Sequence, residues 1–234
     1  MIRMRWRVSL SVAVLLVATT ITPARAAENP LGSGQWAFEF AAELFNDNAA
    51  SFIARRHFSK RSALQLDAYV SASGEKRVED GIESDPADTV IVTDNDTNSG
   101  YTAQLGASYV FYPKTEGKAL LFLSGGGYYL RGKYTDDDTF TSTGISTNRQ
   151  GTFGREARVW GVGATGKVGF DWFFSSHLSL GSRYGVNVGY THRDIDFDLR
   201  VVDGGNVFDD SRHAIEKAVR FDMTQLQIGI SFYP

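Results

Sequence analysis

Six charged residues sit where an alternating chain should carry small or neutral side chains: Glu39, Glu43, Asp67, Lys167, Asp171 and Arg183. In residues 178–190, LSLGSRYGVNVGY, Arg183 shares its parity with Ser179, Gly181, Gly185, Asn187 and Gly189, while Leu178, Leu180, Tyr184, Val186, Val188 and Tyr190 occupy the other. Successive side chains of a strand point to opposite faces, so the guanidinium belongs to the small, polar face. An isolated charge there is costly, and an arginine fork can satisfy two carboxylates at once. The residue types therefore predict an ionic network of these six, with Arg183 bridging carboxylates such as Asp171 and Glu39.

Catalysis and metal binding find less support. The histidines are His57, His177, His192 and His213. A nucleophile–base pair needs a hydroxyl or thiol held against one of them, and no His-x-Ser pairing occurs. His192, in YTHRD, has the apolar parity near one rim, beside Thr191 and Asp194. The acidic runs TDNDTN (93–98), DDD (136–138), DIDFD (194–198) and FDDS (208–211) lack the glycine spacing and terminal Glu of a calcium loop. They read as solvated faces. SGGGYY lies inside a strand and offers space rather than a phosphate cradle. No metal and no cofactor is expected.

The elements that position the six charges begin after an export signal. Arg3, Arg5 and Arg7 precede an apolar core, VSLSVAVLLVA (8–18), and Ala24-Arg25-Ala26 supplies the small-x-small cleavage pattern. This predicts a signal peptide over 1–26, a short periplasmic segment over 27–34 and one domain over 35–234. The absence of cysteine excludes disulfides and lipoprotein processing. A net charge of −3 gives a nucleic-acid partner no electrostatic support. No apolar run after residue 26 approaches the roughly 20 residues of a membrane helix.

Alternating segments recur at 35–44, 63–73, 101–112, 119–134, 159–174, 178–190 and about 218–233. Segment 52–58, FIARRHF, is ambiguous: Phe52, Ala54 and Phe58 suggest one face, but Ile53 and Arg56 confuse the parity, as a bulge would. The count is eight strands. Turns after the even-numbered strands are short, and the connections after strands three, five and seven read as long polar loops. That asymmetry is the pattern of a transmembrane barrel. Counted from the short-turn end, Arg183, Asp171, Glu39 and Asp67 lie at comparable heights, with Lys167 and Glu43 higher.

A soluble barrel would turn the apolar parity inward; a membrane barrel turns it outward. Three features favour outward. The polar parity is mostly Gly, Ala, Ser, Thr, Gln and Asn, which suit a narrow lumen. The apolar parity holds more rings than eight strands can enclose. Aromatics (Trp36, Tyr109, Phe111, Trp172, Phe174, Tyr190 and Phe232) gather near strand ends, where interfacial girdles belong. The prediction is an all-β, eight-stranded antiparallel up-and-down transmembrane β-barrel with short periplasmic turns and longer extracellular loops.

This grammar resembles the small OmpA/OmpX-like outer-membrane β-barrels of Gram-negative bacteria, over essentially the whole length after the signal. Such barrels end on an outward aromatic used by the assembly machinery. Phe232 has that parity, but Tyr233 and Pro234 follow it. The resemblance implies a monomer in the cell outer membrane, in contact with outer-membrane lipids, lipopolysaccharide and the assembly machinery. It implies a structural or surface-interaction role, with an unidentified extracellular ligand at the loops and no nucleic acid. The alternatives are a narrow gated pore, a lipid A-modifying enzyme and, more remotely, a secreted lipocalin-like ligand-binding barrel.

Overall fold

The computed structural model describes residues 31–43, 46–85, 88–143, 148–224 and 226–234. Among the described residues each alternating segment falls in one strand, except 218–233, which is divided between two. The strands are β1 (Trp36–Glu43), β2 (Asn46–Ser59), β3 (Ser62–Asp85), β4 (Asp88–Phe111), β5 (Ala119–Thr143), β6 (Asn148–Phe173), β7 (Leu178–Asp203), β8 (Asn206–Met223) and β9 (Gln227–Phe232). Neighbours in sequence pair antiparallel from β1 to β7, and β9 lies between β7 and β1, which closes an eight-membered ring.

The last wall of the ring is two strands rather than one. β7 pairs first with β8 and then with β9. Four residues of β7, Arg183 to Val186, face five on the other side, Met223 to Gln227. This is a bulge, and it exchanges faces. Odd residues of β9 share the lumen face with Arg183, whereas in β8 the even residues do, Asp222 and Arg220 among them.

The apolar parity faces outward. Phe40, Leu105 and Leu121 are exposed, as are Trp36, Tyr109, Phe111, Trp172 and Phe232 around the short-turn end. Phe174 meets the ring of Trp172 edge-on at 6.4 Å. At the far side of the apolar belt, Tyr101, Tyr129, Trp160 and Tyr190 occupy the outward parity of β4 to β7, a second girdle. The ambiguous second strand needs no bulge in its centre: Ile53, Arg55 and His57 are buried and Phe52 and Phe58 exposed.

Some rings do enter the lumen. Tyr112, Phe122, Phe173 and Tyr233 are fully buried at the short-turn end, together with Leu31 from the N-terminal segment. Facing glycines make the room. A side chain at Gly169 would meet Phe122 Cζ at 2.5 Å, and one at Gly163 would meet Tyr128 Cζ at 2.6 Å.

The long polar loops are corrected by the structure. They are mainly strand: β3 to β7 run 24 to 26 residues each, against about 9–11 needed to cross a bilayer. Outside a membrane both faces of such a hairpin meet water, so the ladder forms without an apolar alternation to announce it. The connection from β7 to β8 shrinks to Gly204-Gly205, whose φ values of 55° and 89° suit a two-residue hairpin turn.

Closure is confined to the base. β1 and β2 meet near Glu43 and Asn46, and β2 accompanies β3 only as far as Ser71. Above that level β8 pairs with β7 alone and β3 with β4 alone among the described residues. The upper structure is therefore a six-stranded trough, β3 to β8, with a notch over the short first hairpin. Deleting Thr224 removes the bulge and must turn over the faces of either β8 or β9. Arginine in the apolar belt costs about 2–4 kcal/mol, so the expected outcome is loss of the folded, heat-modifiable band on unboiled gels.

Candidate functional site

The base of the lumen is a layered cluster of charges. Glu39 on β1 and Asp67 on β3 lie in one ladder row, separated by Ile53 of β2. Arg183 comes from β7, which β9 separates from β1 and which stands opposite β3 in the ring. Its Nη2 donates to Glu39 Oε1, and its Nη1 lies 3.9 Å from Asp67 Oδ1. Ser231 completes the Glu39 carboxylate, donating to Oε2 at 3.2 Å.

Arg55 of β2 is the second hub. Its Nη1 donates to Asp171 Oδ2 at 2.8 Å and to the Tyr112 hydroxyl at 2.5 Å, and its Nε donates to Gln65 Oε1 at 3.1 Å. Its Nη2 lies 3.7 Å from Glu39 Oε2, which links the two arginines through one carboxylate. Tyr112 donates in turn to Asp171 Oδ2 at 2.9 Å, and Gln65 Nε2 to Asp67 Oδ1 at 2.8 Å. Relative exposure is 2% or less for Glu39, Arg55, Gln65, Asp171 and Arg183.

Of the six residues predicted, four meet here: Glu39, Asp67, Asp171 and Arg183. The partners differ from expectation, since Arg183 takes Glu39 and Asp67 while Asp171 belongs to Arg55. Glu43 and Lys167 form the layer above. Tyr69 and Gln227 donate to Glu43 at 3.3 and 3.5 Å, and Lys167 lies within the field of Asp67, Glu39 and Glu43.

The sequence reading missed Arg55, because Arg55 and Arg56 are adjacent and either parity of β2 contains one arginine. The signal was the pair beside it: His57 follows on the parity of Arg55, Phe58 on that of Arg56. Arg56 faces outward, its guanidinium 5.6 Å from the Trp36 ring centroid. Tyr233 was also missed. Coming one residue after outward Phe232, it points inward and packs against Phe173 and His57 at 5.3 and 6.3 Å between centroids.

The trough carries a different electrostatic arrangement. Asp96 of β4 and Asp138 of β5 are directly paired, with Asp94 and Asp136 on the same face. The described residues contain no His, Asp and Glu grouping of metal-site geometry. A shared hydrogen bond with Asp94, partial burial and the charges of Asp94, Asp96 and Asp136 push the Asp138 carboxyl up to about 6.

No protein-family model and no curated protein matches the chain. Among solved structures it is similar to a major outer membrane protein from Thermus thermophilus, at 11% identity over 86% of this chain and 99% of that one, with a TM-score of 0.38. It is also similar to CarO from Acinetobacter baumannii, at 10% identity over 88% of this chain and 100% of that one, with a TM-score of 0.35. These figures are too low to assign a family or a role.

Removing one member of a buried ion pair leaves the other uncompensated, at a cost of about 3–5 kcal/mol. Arg55→Ala strands Asp171, so its midpoint for denaturant unfolding in detergent micelles should fall by that equivalent; an unchanged midpoint would show that Arg55 is not a hub. Asp138 has a folded value above its ordinary 3.8, so the folded chain holds that proton more tightly. The resulting stabilisation is full below about pH 4 and lost as pH rises through about 6. A carboxyl-carbon NMR titration should place the Asp138 midpoint near 6, and Asp94→Asn should lower it.

Proposed function

We propose that this chain is an outer-membrane β-barrel protein with a closed base, acting as a structural or surface-interaction protein through the sheet it raises outside the bilayer. The observation that carries the reading is the sealed base: the arginine–carboxylate layers rest on an apolar cap of Tyr112, Phe122, Phe173, Tyr233 and Leu31. An eight-stranded ring has an interior that side chains just fill, and here they fill it twice over. The outward apolar belt with aromatic rings at both limits supports insertion in a bilayer, with lipids and lipopolysaccharide against that wall. Outward Phe232 at the closing strand is the feature the assembly machinery would read. The trough of β3 to β8, rather than a set of irregular loops, is the surface an extracellular ligand would meet.

The refolded protein in planar bilayers should give no single-channel steps. Arg183→Ala should give none either, because the Arg55 layer and the apolar cap remain. Regular steps from the unaltered protein would instead establish the gated pore. The proposed role includes no catalysis, so lipid A mass spectra from cells with and without the protein should be identical; a shifted species would make it an enzyme.

A further inference from the structure

His192 and its surroundings are not used by the base of the barrel. Its ring stacks on Trp160 of the outer girdle, 5.4 Å between centroids and 20° between planes, and its Nε2 lies 3.1 Å from Asp194 Oδ1. The register extends this pair into a row across four strands: Arg131 on β5, Trp160 on β6, His192 on β7 and Lys217 on β8. Arg131 and Lys217 are exposed, and neither has an ion-pair or hydrogen-bond partner among the described residues.

The next row outward adds Lys133 and Arg158, paired across β5 and β6. Glu156 holds both, at 2.8 Å from Lys133 Nζ and 2.8 Å from Arg158 Nε. Four cations thus lie on one side of the barrel, two in the row of Trp160 and two in the row beyond it. On β4 the corresponding outward positions above Tyr101 are Ser99, Thr97 and Asn95, without charge. Aromatic girdles sit at headgroup level. Free cations at that level face phosphate rather than acyl chain.

We propose that this row is a binding site for anionic headgroups of the surrounding leaflet, with Arg131 and Lys217 as its two clamps and the Trp160–His192 stack as the platform between them. The site rests on the reading that the chain spans a membrane. It makes the lipid contact one-sided: the β5–β8 wall gathers phosphorylated lipid, and the β3–β4 wall does not. Beyond that row Lys133 and Arg158 are balanced by Glu156, Asp194 and Asp196 on the same face, so the uncompensated positive charge is that of Arg131 and Lys217.

The test uses the full chain with one tryptophan, W6F/W36F/W172F, folded into vesicles. Quenching of Trp160 by brominated phosphatidylglycerol is compared with quenching by brominated phosphatidylcholine at equal mole fraction. The expected result is an apparent association about fivefold stronger for the anionic lipid, the size of one cation–headgroup contact. R131E/K217E should abolish that preference and R131K/K217R should keep it. A second protein, V70W in a W6F/W36F/W160F/W172F background, reports from exposed Val70 of β3 in the same ladder row as Arg131 and should show no preference. Equal quenching of Trp160 by both lipids, or a preference that survives R131E/K217E, overturns the site while leaving membrane insertion intact. Absence of quenching by either lipid overturns the membrane reading and the site with it.

Discussion

The structure depends on charges balanced against one another in a buried space. Arg55 and Arg183 share the base of the lumen with Glu39, Asp67 and Asp171, and all of them are buried or nearly so. Each charge comes from a different strand of the ring: β1, β2, β3, β6 and β7. A one-residue slip in any of these strands would send a charge into the apolar exterior and a Phe or Leu into the lumen. The cluster therefore fixes facing and register together, which hydrophobic alternation alone does only strand by strand. Whether it adds net stability is secondary, since buried ion pairs often do no better than apolar substitutes.

The same constraint explains the irregular final wall. β9 must present Ser231 and Gln227 to the charge cluster, while β8 above it presents Val219, Phe221 and Met223 outward. One strand without a bulge cannot carry both patterns, because Met223 and Gln227 have the same parity. The bulge also marks where closure ends. Beyond it, the free edge of β8 looks onto the notch left by the short β1–β2 hairpin. Backbone unpaired at that depth is tolerated where it borders a polar cavity rather than lipid, and Asp222 and Arg220 on the lumen face of β8 provide that setting.

Much of this was legible in the sequence, for a physical reason. A membrane wall with a polar interior imposes opposite chemistry on successive residues, so strands such as 178–190 and 101–112 declare both their extent and their facing. Four of the six predicted charges meet in the base because parity and height from the short-turn end were enough to place them. What could not be read lies where that contrast fails. Where both faces of a hairpin meet water no alternation is imposed, so TDDDTF (135–140) looks like a loop although it pairs in a long ladder. Arg55 was hidden by Arg56. Tyr233 seemed a departure from a terminal aromatic, yet a residue after an outward Phe232 points into the lumen, where it becomes part of the cap.

The proposed sealed base requires the polar face to line an interior closed to water. The chain contains no cysteine, so a single thiol can report on that interior. Ser108 is 2% exposed and lies beside Gln65 in the ladder, next to the charge cluster. With Ser108→Cys in the membrane-inserted protein, a charged, water-soluble methanethiosulfonate should leave the thiol unmodified until denaturation, while Ser211→Cys on the exposed part of β8 reacts at once. Modification of Ser108→Cys in the folded protein at a rate comparable to Ser211→Cys would show a lumen open to water and contradict the sealed base.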